Sequence, residues 1–173
     1  MPWNGTKVWT VGEKARSTDF NDYLSDNLDY LLSRVNGIIT LASDISTTST
    51  SYVDISGASV TLTIAGSQVL VIFDAIMTAW PNENIEDSFS IKIVKNGSDE
   101  KERTYPGKGS VGEGGLTPGE RVSVTIVHLI TGLTPGLNTI KLQWKHNGGG
   151  SVSPGGTVKL YGTWGAQFTV VEV

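Results

Sequence analysis

The chain predicts a mainly β protein: an antiparallel β-sandwich of jelly-roll type with about eight strands, preceded by an extended arm and one amphipathic α-helix. Three observations predict it. From Ile38 onward, apolar and polar residues alternate in runs of strand length. Gly- and Pro-rich turn signals separate those runs at sandwich spacing, with 21 Gly in 173 residues. Only one segment, ending at Gly37, carries the three- and four-residue period of a helix.

Residues 1–16 form the arm, which holds Trp3 and Trp9 among Gly5 and Gly12 with no helical or strand period. Burying an indole is worth roughly 1.5–3 kcal/mol, and leaving two in water invites aggregation, so the arm is expected to dock on a neighbour or on its own body. Residues 17–37 form the helix. Phe20, Tyr23, Leu24, Leu28, Leu31, Leu32 and Val35 make its apolar stripe. Ser17 or Thr18 caps the start, Asp19 and Asp22 sit at the positive end of the dipole, and Asn36-Gly37 supplies a left-handed stop. The spacing of Leu24, Leu28, Leu31 and Val35 is that of a short coiled-coil seam. So short a helix is marginal alone in water, so the stripe must pack either on the β module or against copies of itself.

Residues 38–173 form the sandwich. Ser43–Ser51 reads as a polar strand plus linker, because Thr favours strands. Val60, Leu62 and Ile64 alternate with polar or small residues. Gln68–Met77 is apolar on both faces apart from Asp74, which predicts a central strand covered on both sides. Phe89, Ile91 and Ile93 lead to Asn96-Gly97, a type I′ hairpin signal, and then to Lys101–Tyr105. Residues 106–119 read as a long loop. Further strands are expected at Val122–Leu129, at Ile140–Lys145 after a Thr134-Pro135-Gly136 turn, at Val158–Trp164 and at Gln167–Val173.

The composition narrows the chemistry. There is no Cys, so disulfides and thiolate metal sites are excluded. Net charge is -4, with +2 on the arm, -3 on the helix and -3 on the remainder. That distribution lacks the basic stripe a nucleic-acid partner requires. No apolar run is long enough to insert in a membrane, and no secretory signal opens the chain.

His128 and His146 are too far apart in sequence for a His pair that holds zinc. His128 reads as a satisfied sheet histidine and His146, beside a Gly-rich tip, as solvent-facing. Pro106-Gly107-Lys108-Gly109-Ser110 lacks the spacing and the following helix of a phosphate loop. Asn82–Asp87 and Asp99–Glu102 are acid-rich but lack calcium-loop spacing, and Asn4-Gly5-Thr6 and Asn96-Gly97-Ser98 read as turns. No catalytic residue, metal site or cofactor is expected, and the chain is not expected to be an enzyme. Trp80, Trp144 and Trp164 remain. Trp144 follows the alternation of Ile140 and Leu142 into the core, whereas Trp80 and Trp164 are candidates for ligand loops.

Trp9-Thr10-Val11-Gly12-Glu13, followed by Phe20-Asn21-Asp22-Tyr23-Leu24 and Asp26-Asn27-Leu28, resembles the opening of many tailed-phage virion proteins. Their pattern runs W-x-x-G-E, a spacer, then L-N-x-x-[VIL]-R-D-N-L, ahead of a β-rich body. Phe20 stands here where Leu is common, and Ser25 replaces the frequent Arg. Residues 133–145 and 155–173 also look like the closing strands of trimeric phage jelly-roll heads. The resemblance implies a structural virion component, assembled in the host cytoplasm. It would be a homotrimeric capsid decoration (cement) or head-fibre protein, attached to the major capsid protein or another virion protein. Trp3, Trp9, Phe20, Leu24, Leu28, Leu31 and Val35 would then serve assembly and attachment. The competing expectation is a tail-fibre or receptor-binding head that recognises host glycan with the loops at 79–88, 106–119 and 146–156.

Overall fold

Alternating side chains produce strands that bury one face, and two such faces closed on each other make the core of this protein. The computed structural model describes residues 37–80, 88–106, 121–147 and 156–173. The arm, the helix, and the assembly residues Trp3, Trp9, Phe20, Leu24, Leu28, Leu31 and Val35 lie outside the described residues. So does most of the loop at 106–119.

Ten strands are present among the described residues: β1 (Ile38–Leu41), β2 (Ile45–Thr47), β3 (Val53–Ile64), β4 (Val69–Trp80), β5 (Ser88–Lys95), β6 (Ser98–Pro106), β7 (Val122–Ile130), β8 (Gly136–His146), β9 (Thr157–Leu160) and β10 (Ala166–Glu172). All pairings are antiparallel, and the strands form a two-sheet β-sandwich. The larger sheet runs β1-β10-β4-β9-β2 with β7 on the other side of β4; the smaller runs β3-β8-β5-β6.

Two strands of the larger sheet are interrupted. β10 pairs with the first half of β4 and β9 with the second, while β1 and β2 pair with β10 and β9 in turn. Taking β1/β2 as one strand and β9/β10 as another, the first sheet is ordered first, eighth, third, sixth. The second is ordered second, seventh, fourth, fifth.

The core lies between the sheets, with Phe73, Phe89 and Phe168 fully buried and Trp144 beside Ile91 as its alternation predicts. β3 carries a feature its sequence only hints at. Its pairing with β8 shifts register between Asp54 and Ser59, and Gly57 sits at φ +83. The bulge lets Ile55 and Ala58 both point inward before the two-residue alternation resumes at Val60. At Asn96-Gly97 both residues have positive φ, 49° and 85°, as a type I′ turn demands.

Two expectations are corrected. Val158–Trp164 is not one strand: pairing stops at Leu160, and Gly162–Trp164 form a 3₁₀ turn. His146 is not solvent-facing but 5% exposed, because it occupies an inward position of β8 opposite Phe89. β4 is central in its sheet as expected, flanked by β7 and by β10/β9, and the cover expected on its second face is not supplied by the described residues. Leu70, Ile72 and Ile76 are half-exposed there, and Asp74 is exposed and accepts the Thr125 hydroxyl at 2.8 Å.

Strand direction fixes two ends. Ala65–Gln68, Asn96-Gly97 and Thr131–Pro135 connect strands at one end, where Gly37 also enters beside Val170. The segments 81–87, 107–120 and 148–155 all begin and finish at the other end. Their flanking residues are paired there: Trp80 with Thr157, Ser88 with Pro106, Phe89 with His146 and Met77 with Val122.

Candidate functional site

The candidate site is built where the eighth strand breaks. After Leu160 the chain leaves the β2–β9 ladder, and the Tyr161 amide donates to the Ile76 carbonyl at 3.0 Å. Trp164 N–H bonds to Tyr161 O and Gly165 N–H to Gly162 O, closing the 3₁₀ turn, and Gly165 ends it at φ +86. Gly162 is required for a different reason. A Cβ there would lie 2.1 Å from the Ser43 carbonyl oxygen and 2.6 Å from that of Leu41, so only glycine lets the turn seat on the β1–β2 break.

The turn is tied down by one carboxylate. Asp44 Oδ1 accepts from the Thr163 hydroxyl at 2.8 Å and from its amide at 3.3 Å, and Asp44 Oδ2 pairs with Lys159 Nζ at 2.9 Å. The Lys159 ammonium, with help from the Thr163 hydroxyl, holds the Asp44 carboxyl below the usual carboxylate range. Held this way, Trp164 is 54% exposed, while Tyr161 is buried beneath it, ring centroids 5.7 Å apart. The Arg121 guanidinium lies 3.9 Å from the Trp164 ring centroid and 4.9 Å from that of Tyr161, and Lys159 Nζ is 4.6 Å over Tyr161. Beside this cluster is an open depression of about 500 Å³ lined by Asp44, Ile45, Ser46, Thr157 and Lys159.

An exposed indole flanked by a guanidinium, an ammonium, a carboxylate and hydroxyls offers ring stacking together with hydrogen bonding. Sequence reading picks out Trp164 but misses Arg121, Tyr161, Lys159 and Asp44, which come from three separate strands or their ends. The usable signal is Gly162 and Gly165 bracketing Trp164. Trp80, the other candidate, is the last residue of β4 opposite Thr157, and its side chain lies outside the description.

The remaining candidates separate. His128 points toward the sandwich edge with Nε2 3.6 Å from Glu100, which also pairs with Lys95 at 3.2 Å. Asp99 turns the other way to Lys92 at 2.8 Å. The acids of 99–102 are thus spread along β6, and no group of three or more metal-ligating side chains gathers among the described residues. Among those residues no helix is long and apolar enough to cross a membrane.

The outward faces of the two sheets differ in chemistry, although the smaller one also exposes Leu137, which is 73% exposed. On the smaller sheet, Asp54 accepts from Lys141 and Gln143 at 2.8 and 2.7 Å. Lys92 and Lys145 stand 4.1 and 4.7 Å over the Tyr52 ring, and Ser90 bonds Thr104. Burial, reinforced by the Glu102 carboxylate, pushes the Tyr52 phenol up to about 12. The larger sheet instead presents an apolar row of Leu129, Leu70 and Val171, and beside it Val127, Ile72 and Ile38 with Thr169 between the last two. Ile38 and Val127 are 58% and 56% exposed.

No family model and no curated protein matches the chain. Solved structures with a similar course of the backbone include three of different kinds. The insecticidal delta-endotoxin Cry8Ea1 of Bacillus thuringiensis matches at 14% identity and TM-score 0.42, over 75% of this chain and 19% of the endotoxin chain. The infectious bursal disease virus Gx strain structure matches at 15% identity and TM-score 0.45, over 79% of this chain and 31% of the viral one. The carbohydrate binding module CBM6cm-2 from Cellvibrio mixtus lichenase 5A, in complex with cellotriose, matches at 14% identity and TM-score 0.33, over 82% and 94%. This chain therefore spans about a fifth of the endotoxin chain and under a third of the viral one. All three similarities are distant, at 14–15% identity.

Proposed function

We propose that this protein is a structural component of a tailed-phage virion: a homotrimeric jelly-roll decoration (cement) or head-fibre protein, attached to the major capsid protein or another virion protein through residues 1–37. It works by binding, without catalysis, cofactor, nucleic acid or membrane insertion.

The observation that carries the reading is the polarity of the sandwich. Gly37, where the predicted attachment segment joins, lies at the end of the short turns. The three segments 81–87, 107–120 and 148–155 leave from the opposite end. A body held at one end and carrying its long connections at the other suits a surface component. The strand order supports the jelly-roll class, in which eight strands form two sheets through two Greek keys. The W-x-x-G-E resemblance in residues 9–28 supplies the virion context.

The test is particle binding. Protein lacking residues 1–16 is expected to keep its circular dichroism spectrum and lose sedimentation with particles stripped of it. Undiminished co-sedimentation rejects the reading.

A second reading, a glycan-recognising tail-fibre or receptor-binding head, is favoured by the exposure of Trp164 beside Arg121. It predicts a Trp fluorescence shift with host-surface glycans that Trp164→Ala abolishes. A broad glycan panel without any shift rejects it.

A further inference from the structure

Most cations along these strands are matched by a carboxylate. Lys92 pairs with Asp99 at 2.8 Å, Lys95 with Glu100 at 3.2 Å, Lys141 with Asp54 at 2.8 Å and Lys159 with Asp44 at 2.9 Å. Arg121 differs. Among the described residues its guanidinium meets no carboxylate, only the Trp164 and Tyr161 rings, at 3.9 and 4.9 Å from their centroids.

A stacked guanidinium uses its face and keeps its rim. Its N–H donors all lie in the guanidinium plane, so ring contact leaves them in a fixed fork that points away from the stack. Such a fork matches the two oxygens of a carboxylate in bidentate fashion.

Resting on the glycan reading above, we infer that the Trp164 site binds a pyranose that carries a carboxylate, a uronic acid. The acid pairs with Arg121, and the sugar ring packs on the exposed indole of Trp164. Three observations select this ligand.

The first is a platform that is set before anything binds. Asp44 accepts the Thr163 hydroxyl and amide, Gly162 seats the turn on the β1–β2 break, and Tyr161 is buried beneath Trp164. Little ordering is left to oppose association. Trp164 stays 54% exposed beside the guanidinium, which leaves indole surface for the apolar face of a sugar.

The second is a place for the sugar hydroxyls. Lys159 Nζ stands 4.6 Å over the same Tyr161 ring and also lines the depression of about 500 Å³, together with Asp44, Ser46 and Thr157. A volume of that order suits a small ligand, and these side chains can both accept from hydroxyls and donate to them.

The third is charge. Asp44 offsets Lys159, so among the described residues the cluster keeps one uncompensated positive charge, that of Arg121. One carboxylate balances it. A phosphate dianion would face Asp44 without a second uncompensated cation, and a neutral sugar would leave the fork unused.

The test titrates isotope-labelled full-length protein with glucuronate, galacturonate, the methyl ester of each, glucose and glucose 6-phosphate. NMR follows the Trp164 indole N–H and the Arg121 Nε–H. At least one uronate is expected to bind about tenfold more tightly than its ester and than glucose, the worth of a charged hydrogen-bond pair. It is also expected to outbind the phosphate. Arg121→Gln should erase that preference, and Arg121→Lys, which keeps the charge without the fork, should restore it only in part. Equal affinity for acid and ester would overturn the uronic-acid assignment while leaving glycan binding in place. Tighter binding of the phosphate would overturn it, as would a preference unmoved by Arg121→Gln or no binding of either uronate. The ester comparison uses the wild-type chain, so it decides the matter even where a variant fails to fold. The wider glycan panel separately decides the reading on which this rests.

Discussion

Among the described glycines, Gly162→Ala is the sharpest single-atom perturbation. The added methyl would stand 2.1 Å from Ser43 O and 2.6 Å from Leu41 O, both backbone atoms. An ordinary carbon–oxygen approach is about 3.3 Å, so a main-chain segment must move by about 1 Å. Leu41 cannot yield cheaply, because it ends β1 in register with Ala166 of β10. Overpacking costs typically about 1–3 kcal/mol, and two backbone obstacles place this case near 3 kcal/mol. For a chain of this size each kcal/mol lowers Tm by about 2–4 °C, giving a fall of about 6–12 °C.

The control is Gly165→Ala, three residues on. It has φ +86 but no atom within 4 Å of the new Cβ, so its cost is left-handed strain alone, about 1–2 kcal/mol. Thermal unfolding followed by circular dichroism measures both. If Gly165→Ala lowers Tm more than Gly162→Ala does, the close packing of the 3₁₀ turn on the β1–β2 break is refuted.

Asn138 is buried and donates to Thr134 O and Gly136 O at 2.9 Å while accepting from Asn96 Nδ2 at 2.8 Å. Asn138→Leu strands these groups and should cost about 2–3 kcal/mol in urea unfolding. Glu172 accepts the Ala65 and Gly66 amides with one carboxylate oxygen, so Glu172→Ala should cost about 1–3 kcal/mol by the same assay. The folded-state pKa of Tyr52 is raised above the unfolded value. Its contribution to stability is therefore complete below about pH 10 and is lost as pH climbs through about 12. Alkaline unfolding curves of Tyr52→Phe should lack that loss. Lys141 and Gln143 lower the Asp54 carboxyl, so its contribution is present above about pH 4 and disappears as pH falls through the folded value. Asp54→Asn should therefore flatten the acid limb slightly, the pair being exposed.

Strand identity was legible because period-2 alternation is a direct consequence of the pleat, and β4, β5, β7 and β8 lie where their runs of residues place them. The Asn96-Gly97 hairpin was legible because so few residue pairs accept two positive φ values. What escaped depends on partners far away in sequence. The β3 bulge announces itself only as Gly57 inside a strand, and its inward pair Ile55/Ala58 breaks the alternation being sought. His146 looked exposed because a Gly-rich tip follows it, yet the last residue of a strand still obeys the pleat. Trp164 was picked out by residue type, but the cation over it comes from Arg121, whose proximity is a property of the sheet order and of nothing local. The apolar outward face was visible in part. Val127 and Leu129 alternate with Ile126, His128 and Ile130, leaving no polar outward face on the second half of β7, after Ser123 and Thr125. That pattern was read in β4 as a sign of double coverage, and it equally describes a surface awaiting a partner.

The unequal ends of the sandwich have a consequence for how such a body diversifies. At the end holding Gly37, the Asn96-Gly97 turn sets strand register, and Glu172 ties down the β3–β4 turn, so insertion there would misalign whole ladders. At the far end, closure entropy grows by only about 0.6 kcal/mol for each doubling of length. The three segments bounded by Trp80 and Ser88, Pro106 and Arg121, and Asn147 and Gly156 can therefore exchange sequence and size with little effect on the core. Grafts of foreign peptides belong at that end, where the ladder between Met77 and Val122 is already complete beneath them.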